Sequence, residues 1–423
     1  MLGPGRYLLG VAELALLVGF AWLGAGSLRA WLLPRFEGAP AFLASAVLAL
    51  AILLWAAELL GSFGLFEPVP YLLLVAVVGI GLWKFAPRSS QEGRGWRGSV
   101  PTLVALLVAA IAVARFALEA KPHLSTGMTG FDSTWYHGPF AAGFFQSGDT
   151  WGLHFIAPQF LAWFYPANSE VFHAVGMGAF GRDLLSPLLN LGWFIGCLVA
   201  CWCIGRPYRV APWSLGLGAV ALSVPALADQ AGEARNDIVG IFFLLAAVAI
   251  ALNAWARTDE GDRGATSAGG QENPGGQAGA APRVATTLPI GSVVVVGLAA
   301  GLAAGTKLNF LLPAGVLVLG LAAIAPRGAR WRVLTAAGLA ALAGGGYWYL
   351  RNLVHTGNPL PWIHHLGPID LPAPEQALGG REAHSVLGYL GDGAVWSDWL
   401  LPGLHDAASA ASWDPFARQA SRL

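Results

Sequence analysis

Residues 40–61 read PAFLASAVLALAILLWAAELLG, a run in which Glu58 is the single charged residue. A helix of about 20 apolar residues crosses the roughly 30 Å hydrocarbon core of a bilayer, so this run predicts a transmembrane helix. The whole chain has the same character, since 56% of its residues are hydrophobic and 11% are charged, with a mean hydropathy of +0.58. Such a composition predicts an all-α integral membrane protein.

Windows of similar length and apolar composition occur about ten times along the chain. Polar loops separate them, most of them short. We therefore expect about ten transmembrane helices. The windows are Tyr7–Gly26, Pro40–Gly61, Pro70–Ala86, Val100–Leu118, Leu184–Gly205, Pro212–Leu227, Asp237–Trp255, Leu288–Gly305, Leu308–Pro326 and Val333–Leu350.

The distribution of basic residues predicts the orientation of the chain. When alternate loops are assigned to one side, that side collects most of the 24 Lys and Arg residues. Short cytoplasmic loops are enriched in Lys and Arg, so this side is expected to be cytoplasmic. All nine histidines fall on the opposite, extracytoplasmic side. We expect a multi-pass protein of the plasma membrane whose active face is extracytoplasmic.

The predicted organisation alternates helical and loop regions. The first window is interpreted as a transmembrane helix and not as a removable signal peptide. The cysteines Cys197, Cys201 and Cys203 fall in one window and predict buried packing. The regions are 1–118, N-terminal transmembrane helices; 119–183, an extracytoplasmic loop with interfacial helices and a candidate catalytic acid, Asp132; 184–256, transmembrane helices; 257–287, a disordered cytoplasmic loop; 288–350, transmembrane helices; and 351–423, an extracytoplasmic tail.

The loop at 119–183 is rich in aromatic residues. Its segments Pro139–Gln146 and Ser169–Gly178 have helical apolar spacing. Aromatic-rich amphipathic helices beside transmembrane helices lie in the bilayer interface, where a lipid head group would sit. The alternative is an ordinary belt of interfacial aromatics.

Within this loop, residues 130–139 read GFDSTWYHGP. Asp132 is a candidate general base, because a carboxylate at the edge of a low-dielectric region can have a tuned pKa. The alternative is that Asp132 caps a helix. His137 is a candidate partner that orients the base, binds phosphate or ligates a metal, and the alternative is a plain interfacial histidine.

Three further residues are candidates for the same site. Glu170 shares a predicted helix face with His173, which indicates either a second acid of the site or a local structural pair. Lys307, between two apolar windows, is expected either to bind a lipid phosphate or to extend towards water. Arg351 is expected either to bind the same phosphate bidentately or to anchor the last helix at the interface.

The remaining polar residues indicate a function less specifically. The turn 229–237 contains Asp229, Glu233, Arg235, Asn236 and Asp237, of which Asp237 is expected to cap the following helix. Two further acids, at positions 13 and 58, fall inside transmembrane windows and indicate a polar interior.

Four elements together resemble the GT-C superfamily of polytopic glycosyltransferases, in particular the protein O-mannosyltransferases and aminoarabinose transferases. They are the acidic loop from Asp132 to Pro139, the GTK of 305–307, the WYLRN of 348–352 and the TGNP of 356–359. The resemblance covers roughly residues 129–361 and its motifs are short.

The resemblance implies inverting transfer of a sugar from a polyprenyl-phosphate donor at the outer membrane face. By its implication Asp132 would deprotonate the acceptor hydroxyl. His137 and Glu170, which are candidates from their residue type and position alone, complete the predicted catalytic group. Lys307 and Arg351 would neutralise the phosphate of the leaving group. No cofactor is required, a divalent metal can be accommodated, and no nucleic acid is expected as a partner.

Two other functions stay open. A lipid or glycan transporter or flippase would also use Glu13 and Glu58 inside the membrane. A metal-dependent hydrolase would use His364 and His365, although no His-Glu-x-x-His pattern is present in the sequence.

Overall fold

The computed structural model describes residues 3–85, 99–157, 161–268 and 288–372, together with Gly393. Most of the described chain is α-helical. The α-helices are α1 (Pro4–Leu32), α2 (Gly38–Gly61), α3 (Pro68–Phe85), α4 (Val100–Ala120), α5 (His123–Thr126), α6 (Gly138–Ser147), α7 (Asn168–Phe180), α8 (Ser186–Gly205), α9 (Ala211–Ala221), α10 (Pro225–Ala228), α11 (Asp237–Ala268), α12 (Ile290–Ala304), α13 (Leu311–Ile324) and α14 (Arg330–Thr356).

Short elements complete the described fold. A π-helix at Ser133–His137 precedes α6, and 3₁₀ turns lie at Ala162–Phe164, Arg206–Tyr208, Leu308–Phe310 and Arg327–Ala329. Two short strands, β1 (His365–Leu366) and β2 (Ile369–Asp370), pair antiparallel, with His365 opposite Asp370.

Seven helices in the described residues are long and apolar enough to cross a membrane: α1, α2, α3, α4, α8, α11 and α14. This confirms the prediction of an all-α membrane-embedded protein. The three remaining predicted windows coincide with shorter apolar helices, α9, α12 and α13. Each predicted window therefore contains a helix, whereas a count of ten membrane crossings is not established.

Helix α12 lies at the centre of the bundle, since nearly all of its residues are buried. Small residues allow it to approach α14 closely, because a Cβ at Gly301 would overlap the backbone of Ala341 and a Cβ at Gly345 would overlap that of Gly301. Close approach of backbones through small residues is typical of helix packing in membranes. This packing fixes the Lys307 turn after α12 relative to the end of α14.

Hydrogen bonds between loops that are distant in sequence mark two ends of the bundle. At one end, Arg6 donates to the Gly178 carbonyl at 2.7 Å, and the Thr150 amide donates to the Gly61 carbonyl at 3.2 Å. At the other end, Arg206 donates to the Glu37 carbonyl at 2.7 Å. We call the end that holds residues 119–183 the site face.

Two boundaries differ from those predicted. The segment 257–287 was expected to be disordered, but α11 continues to Ala268, because extending an existing helix costs less than starting one. The predicted tail 351–423 begins inside α14, which ends at Thr356. The remainder of the predicted loop, 269–287, and most of the tail beyond 372 lie outside the described residues.

The two helices predicted within the outer loop are present as α6 and α7. The predicted cysteine packing is also confirmed, because Cys197, Cys201 and Cys203 are all buried and unpaired as disulfides.

Candidate functional site

Asp132 and His137 lie at the two ends of the π-helix that leads into α6. The wide turn has a local cause: Pro139 has no N–H to donate, and the Gly138 amide donates to the Ser133 carbonyl, five residues earlier. The Asp132 side chain makes no capping hydrogen bond. The interpretation of Asp132 as a helix cap is therefore wrong.

Asp132 forms an ion pair with Arg235, with 3.7 Å between Asp132 Oδ2 and Arg235 Nε. The two side chains are 38% and 36% exposed, respectively. This separation exceeds a hydrogen-bonding distance. The carboxylate is thus accessible at the site face and held only loosely.

His137 and Glu170 form a second, buried pair, in which His137 Nδ1 bonds Glu170 Oε1. Asn236 donates to the same Glu170 oxygen at 3.4 Å and to the Thr306 carbonyl at 3.0 Å. These bonds join the π-helix, α7, the turn before α11 and the end of α12. The interpretation of His137 as a plain interfacial histidine is wrong, because it is buried.

His173 is completely buried on α7, and neither ring nitrogen has a hydrogen-bond partner in the described part of the chain. Burial, together with the nearby His137, lowers the pKa of His173 to about 3. His173 is therefore neutral at pH 7. The predicted local pair of Glu170 with His173 is wrong, since Glu170 bonds His137 instead.

Lys307 pairs with Asp237 at the start of α11, with 2.6 Å between Lys307 Nζ and Asp237 Oδ1. Gln230 donates to the other oxygen of Asp237 at 3.2 Å. The structure therefore places the ammonium in an ion pair at the site face and not as a lone charge extending into water. Both side chains are partly exposed.

The turn 229–237, which we call the site turn, contacts Asp132, Glu170 and Lys307. Glu233 accepts hydrogen bonds from the amides of Thr129 at 3.0 Å and Gly130 at 2.8 Å, directly before Asp132. The Ala234 amide donates to Ser133 Oγ at 2.9 Å. The site turn thus holds the segment that carries Asp132.

Two tyrosines show how closely the acids are grouped. Burial raises the pKa of Tyr136, and the negative charges of Asp132, Glu170 and Asp237 raise it further. Burial and Asp132 likewise raise the pKa of Tyr165. Both phenols therefore stay protonated, and each can donate a hydrogen bond beside the carboxylates.

Arg351 lies in a different environment. It is buried, stacks over the Trp348 ring at 4.9 Å, and donates to the Trp163 carbonyl and, at 3.2 Å, to Asn352 Oδ1. None of the contacts described for it involves Asp132. The structure brings Asp132, His137, Glu170 and Lys307 to one site, but not Arg351.

We call residues 347–358, at the end of α14, the tail clamp. Asn352 donates to the Phe164 carbonyl at 2.8 Å, and Asn358 donates to the carbonyls of Ile363 at 3.0 Å and Pro372 at 2.8 Å. Amide and guanidinium groups therefore fasten the loop and the tail to the last helix.

A cleft of about 450 Å³ opens beside the π-helix. Its lining mixes apolar side chains such as Phe145 and Met177 with polar ones such as Thr134 and Arg182. A volume of several hundred Å³ with a few polar groups is typical of a small-ligand site. Within the described residues, no group of three or more His, Cys, Asp or Glu side chains is arranged to hold a metal ion.

Arg235 is the site residue to which sequence reasoning gave no role. Its position between Glu233 and Asp237 was visible, but its partner Asp132 is distant along the chain.

Comparison with known proteins adds no assignment: no protein family, curated protein or solved structure matches this chain. Functional assignment therefore rests on the residues of the site.

Proposed function

We propose that this protein is an inverting membrane glycosyltransferase, which moves a sugar from a polyprenyl-phosphate donor to an acceptor hydroxyl with Asp132 as general base. The observation that supports this best is an accessible carboxylate, Asp132, paired with Arg235 on a turn whose next acid, Asp237, pairs with Lys307, at one end of a bundle of apolar helices. A lipid-linked phosphate would lie at that end if the site face is the outer membrane face.

The environment of Asp132 suits a base. Its loose pairing with Arg235 leaves carboxylate oxygens free to accept a proton from a hydroxyl that approaches from solvent. The π-helix that carries it is fixed at its far end by the buried pair of His137 and Glu170. A fixed base supplies part of the rate through orientation.

Lys307 suits a phosphate-binding role. It is partly exposed, and its ammonium can stabilise the charge that develops on a departing phosphate. Arg351 as a second phosphate ligand stays a prediction without support from its contacts, since its guanidinium is buried and bonded to a main-chain carbonyl. The cleft beside the π-helix is lined by Thr134 but not by Asp132 or Lys307, so it does not enter the proposal. No cofactor enters this proposal.

Sugar transfer from radiolabelled polyprenyl-phosphate donors tests the proposal directly. We expect Asp132→Asn to lower transfer by about 100-fold or more, as for loss of a general base. Asp149→Asn is the matched control: Asp149 lies on the same face, and its Oδ1 accepts from the Trp151 and Gly152 amides, a contact that asparagine can keep. Equal transfer by wild type and Asp132→Asn would exclude the proposed base.

A lipid or glycan transporter is the second candidate, because the acid Glu58 is buried inside helix α2. A transporter would move a fluorescent lipid-linked glycan across liposomes. That movement would depend on Glu58 and survive Asp132→Asn. Sugar transfer without such movement would decide for the enzyme.

A further inference from the structure

We propose that Arg235 is an exchangeable partner: a phosphate ester bound by Arg235 and Lys307 replaces Asp132 on the guanidinium and thereby releases the carboxylate. The bound anion would thus remove the remaining ion-pair contact of Asp132 and leave both of its carboxylate oxygens to the acceptor hydroxyl. The catalytic consequence rests on the proposed function. The exchange itself is a binding property and can be measured without any transfer.

The first observation is the weakness of the Arg235–Asp132 pair. Arginine carries five N–H donors, yet no hydrogen bond joins the Arg235 guanidinium to any described residue, and its Nε faces Asp132 at 3.7 Å. A half-exposed ion pair without a hydrogen bond contributes little. A phosphate can accept two parallel hydrogen bonds from a guanidinium, a far stronger interaction.

The second observation is that the backbone around Arg235 is fixed. The Ala234 amide is bonded to Ser133 Oγ at 2.9 Å, and the Asn236 side chain is bonded to the Thr306 carbonyl at 3.0 Å. The guanidinium can therefore change partner by side-chain rotation while the turn stays in place. Arg351, fastened to the Trp163 carbonyl, has no such freedom.

The third observation is a second cation, Lys307, which follows α12 and pairs with an acid of the site turn. Asp237, two residues after Arg235, pairs with Lys307, and both of these side chains are partly exposed. An anion that binds at the site turn would contact two cations, Arg235 and Lys307, each of which is paired with a single carboxylate. The bound anion would separate Asp132 from its counter-ion, so the donor would bind before the acceptor is deprotonated.

The experiment measures equilibrium binding of polyprenyl phosphate to the purified full chain in a neutral sugar-based detergent. We expect Arg235→Gln to weaken binding about tenfold or more, as for loss of charge-assisted hydrogen bonds. We expect Asp132→Asn to tighten binding severalfold, because it removes the competing carboxylate. In the double variant, Asp132→Asn should not change the affinity of Arg235→Gln, because the carboxylate then has no guanidinium to compete for. Such non-additivity of the two changes identifies direct competition for Arg235.

Lys121→Gln is the matched control, because it removes an exposed cation on the same face and should leave affinity unchanged. Inorganic phosphate and the uncharged polyprenol are the comparison probes. The same pattern with inorganic phosphate would support the exchange and identify a free anion as sufficient.

Three results would overturn the exchange: no binding of polyprenyl phosphate to the wild type, unchanged or weaker binding to Asp132→Asn, or equal tightening with and without Arg235. Equal thermal stability of the variants would show that these results do not arise from unfolding. Exchange without sugar transfer would instead reject the proposed enzyme and retain the anion site.

Discussion

The site turn and the tail clamp lie on the same face and are both rich in polar residues, but they use them in opposite ways. In the site turn, Arg235 faces another side chain at 3.7 Å and is partly exposed. In the tail clamp, Arg351 and Asn352 are buried and donate to the main-chain carbonyls of Trp163 and Phe164.

This difference shows that residue type alone does not mark a functional site. An arginine bonded to a buried carbonyl cannot leave it without exposing an unpaired polar group, which is costly. An arginine in a loose, half-exposed ion pair can change partner at little cost. We therefore expect the tail clamp to maintain the fold and the site turn to maintain activity.

The largest effect on stability is expected for Arg351→Gln. The substitution removes the hydrogen bonds that the buried, charged guanidinium of Arg351 donates. We therefore expect the free energy of unfolding to fall by roughly 3 kcal/mol. Arg235→Gln should change it by less than about 1 kcal/mol. Chemical unfolding in detergent micelles measures both. Equal effects of the two variants would remove the distinction between clamp and turn.

A pH effect is expected from the buried His173. Its pKa of about 3 in the folded chain lies below the ordinary value of 6.5, so below pH 6.5 the unfolded chain binds a proton that the folded chain does not. Stability from this group is therefore present above pH 6.5 and is lost as the pH falls towards 3, by about 2 kcal/mol at pH 5.

His173→Leu keeps an apolar group of similar size and should flatten that pH dependence. Unfolding of both proteins at pH 7 and pH 5 is the measurement. If the wild type and His173→Leu lose the same free energy of unfolding between pH 7 and pH 5, the pH dependence does not come from His173.

A smaller effect on activity is expected for Glu233→Ala. Glu233 holds the Thr129 and Gly130 amides, so its removal should loosen the segment before Asp132 and lower the turnover number about tenfold, with little change in donor affinity. Faster hydrogen exchange at residues 129–137 should accompany the loss. Glu119→Gln, at an exposed position, is the control and should change neither.

The smallest effect is expected for Tyr347→Phe in the tail clamp. The Tyr347 hydroxyl is hydrogen-bonded to the hydroxyl of Thr150 at 2.8 Å and to that of Ser62 at 3.2 Å. Its removal should therefore lower the free energy of unfolding by about 1 kcal/mol. Sugar transfer should stay unchanged, provided that the folded protein is assayed. A selective loss of transfer would assign the clamp a role in the reaction.

Local sequence predicted the helices well, because a run such as residues 40–61 contains its own signal in length and hydropathy. It also predicted α6 and α7. It missed the last part of α11, which is polar and has no apolar signal. The count of about ten crossings stays a prediction, because α9, α12 and α13 are short.

The sequence by itself determined that this is a helical membrane protein, and it marked Asp132, His137, Glu170 and Lys307 as candidates. Only the tertiary structure decided their partners. Ser133 and Ala234 bond across 101 positions of the chain. Contacts over such separations are made by the packing of helices, and no local pattern records them.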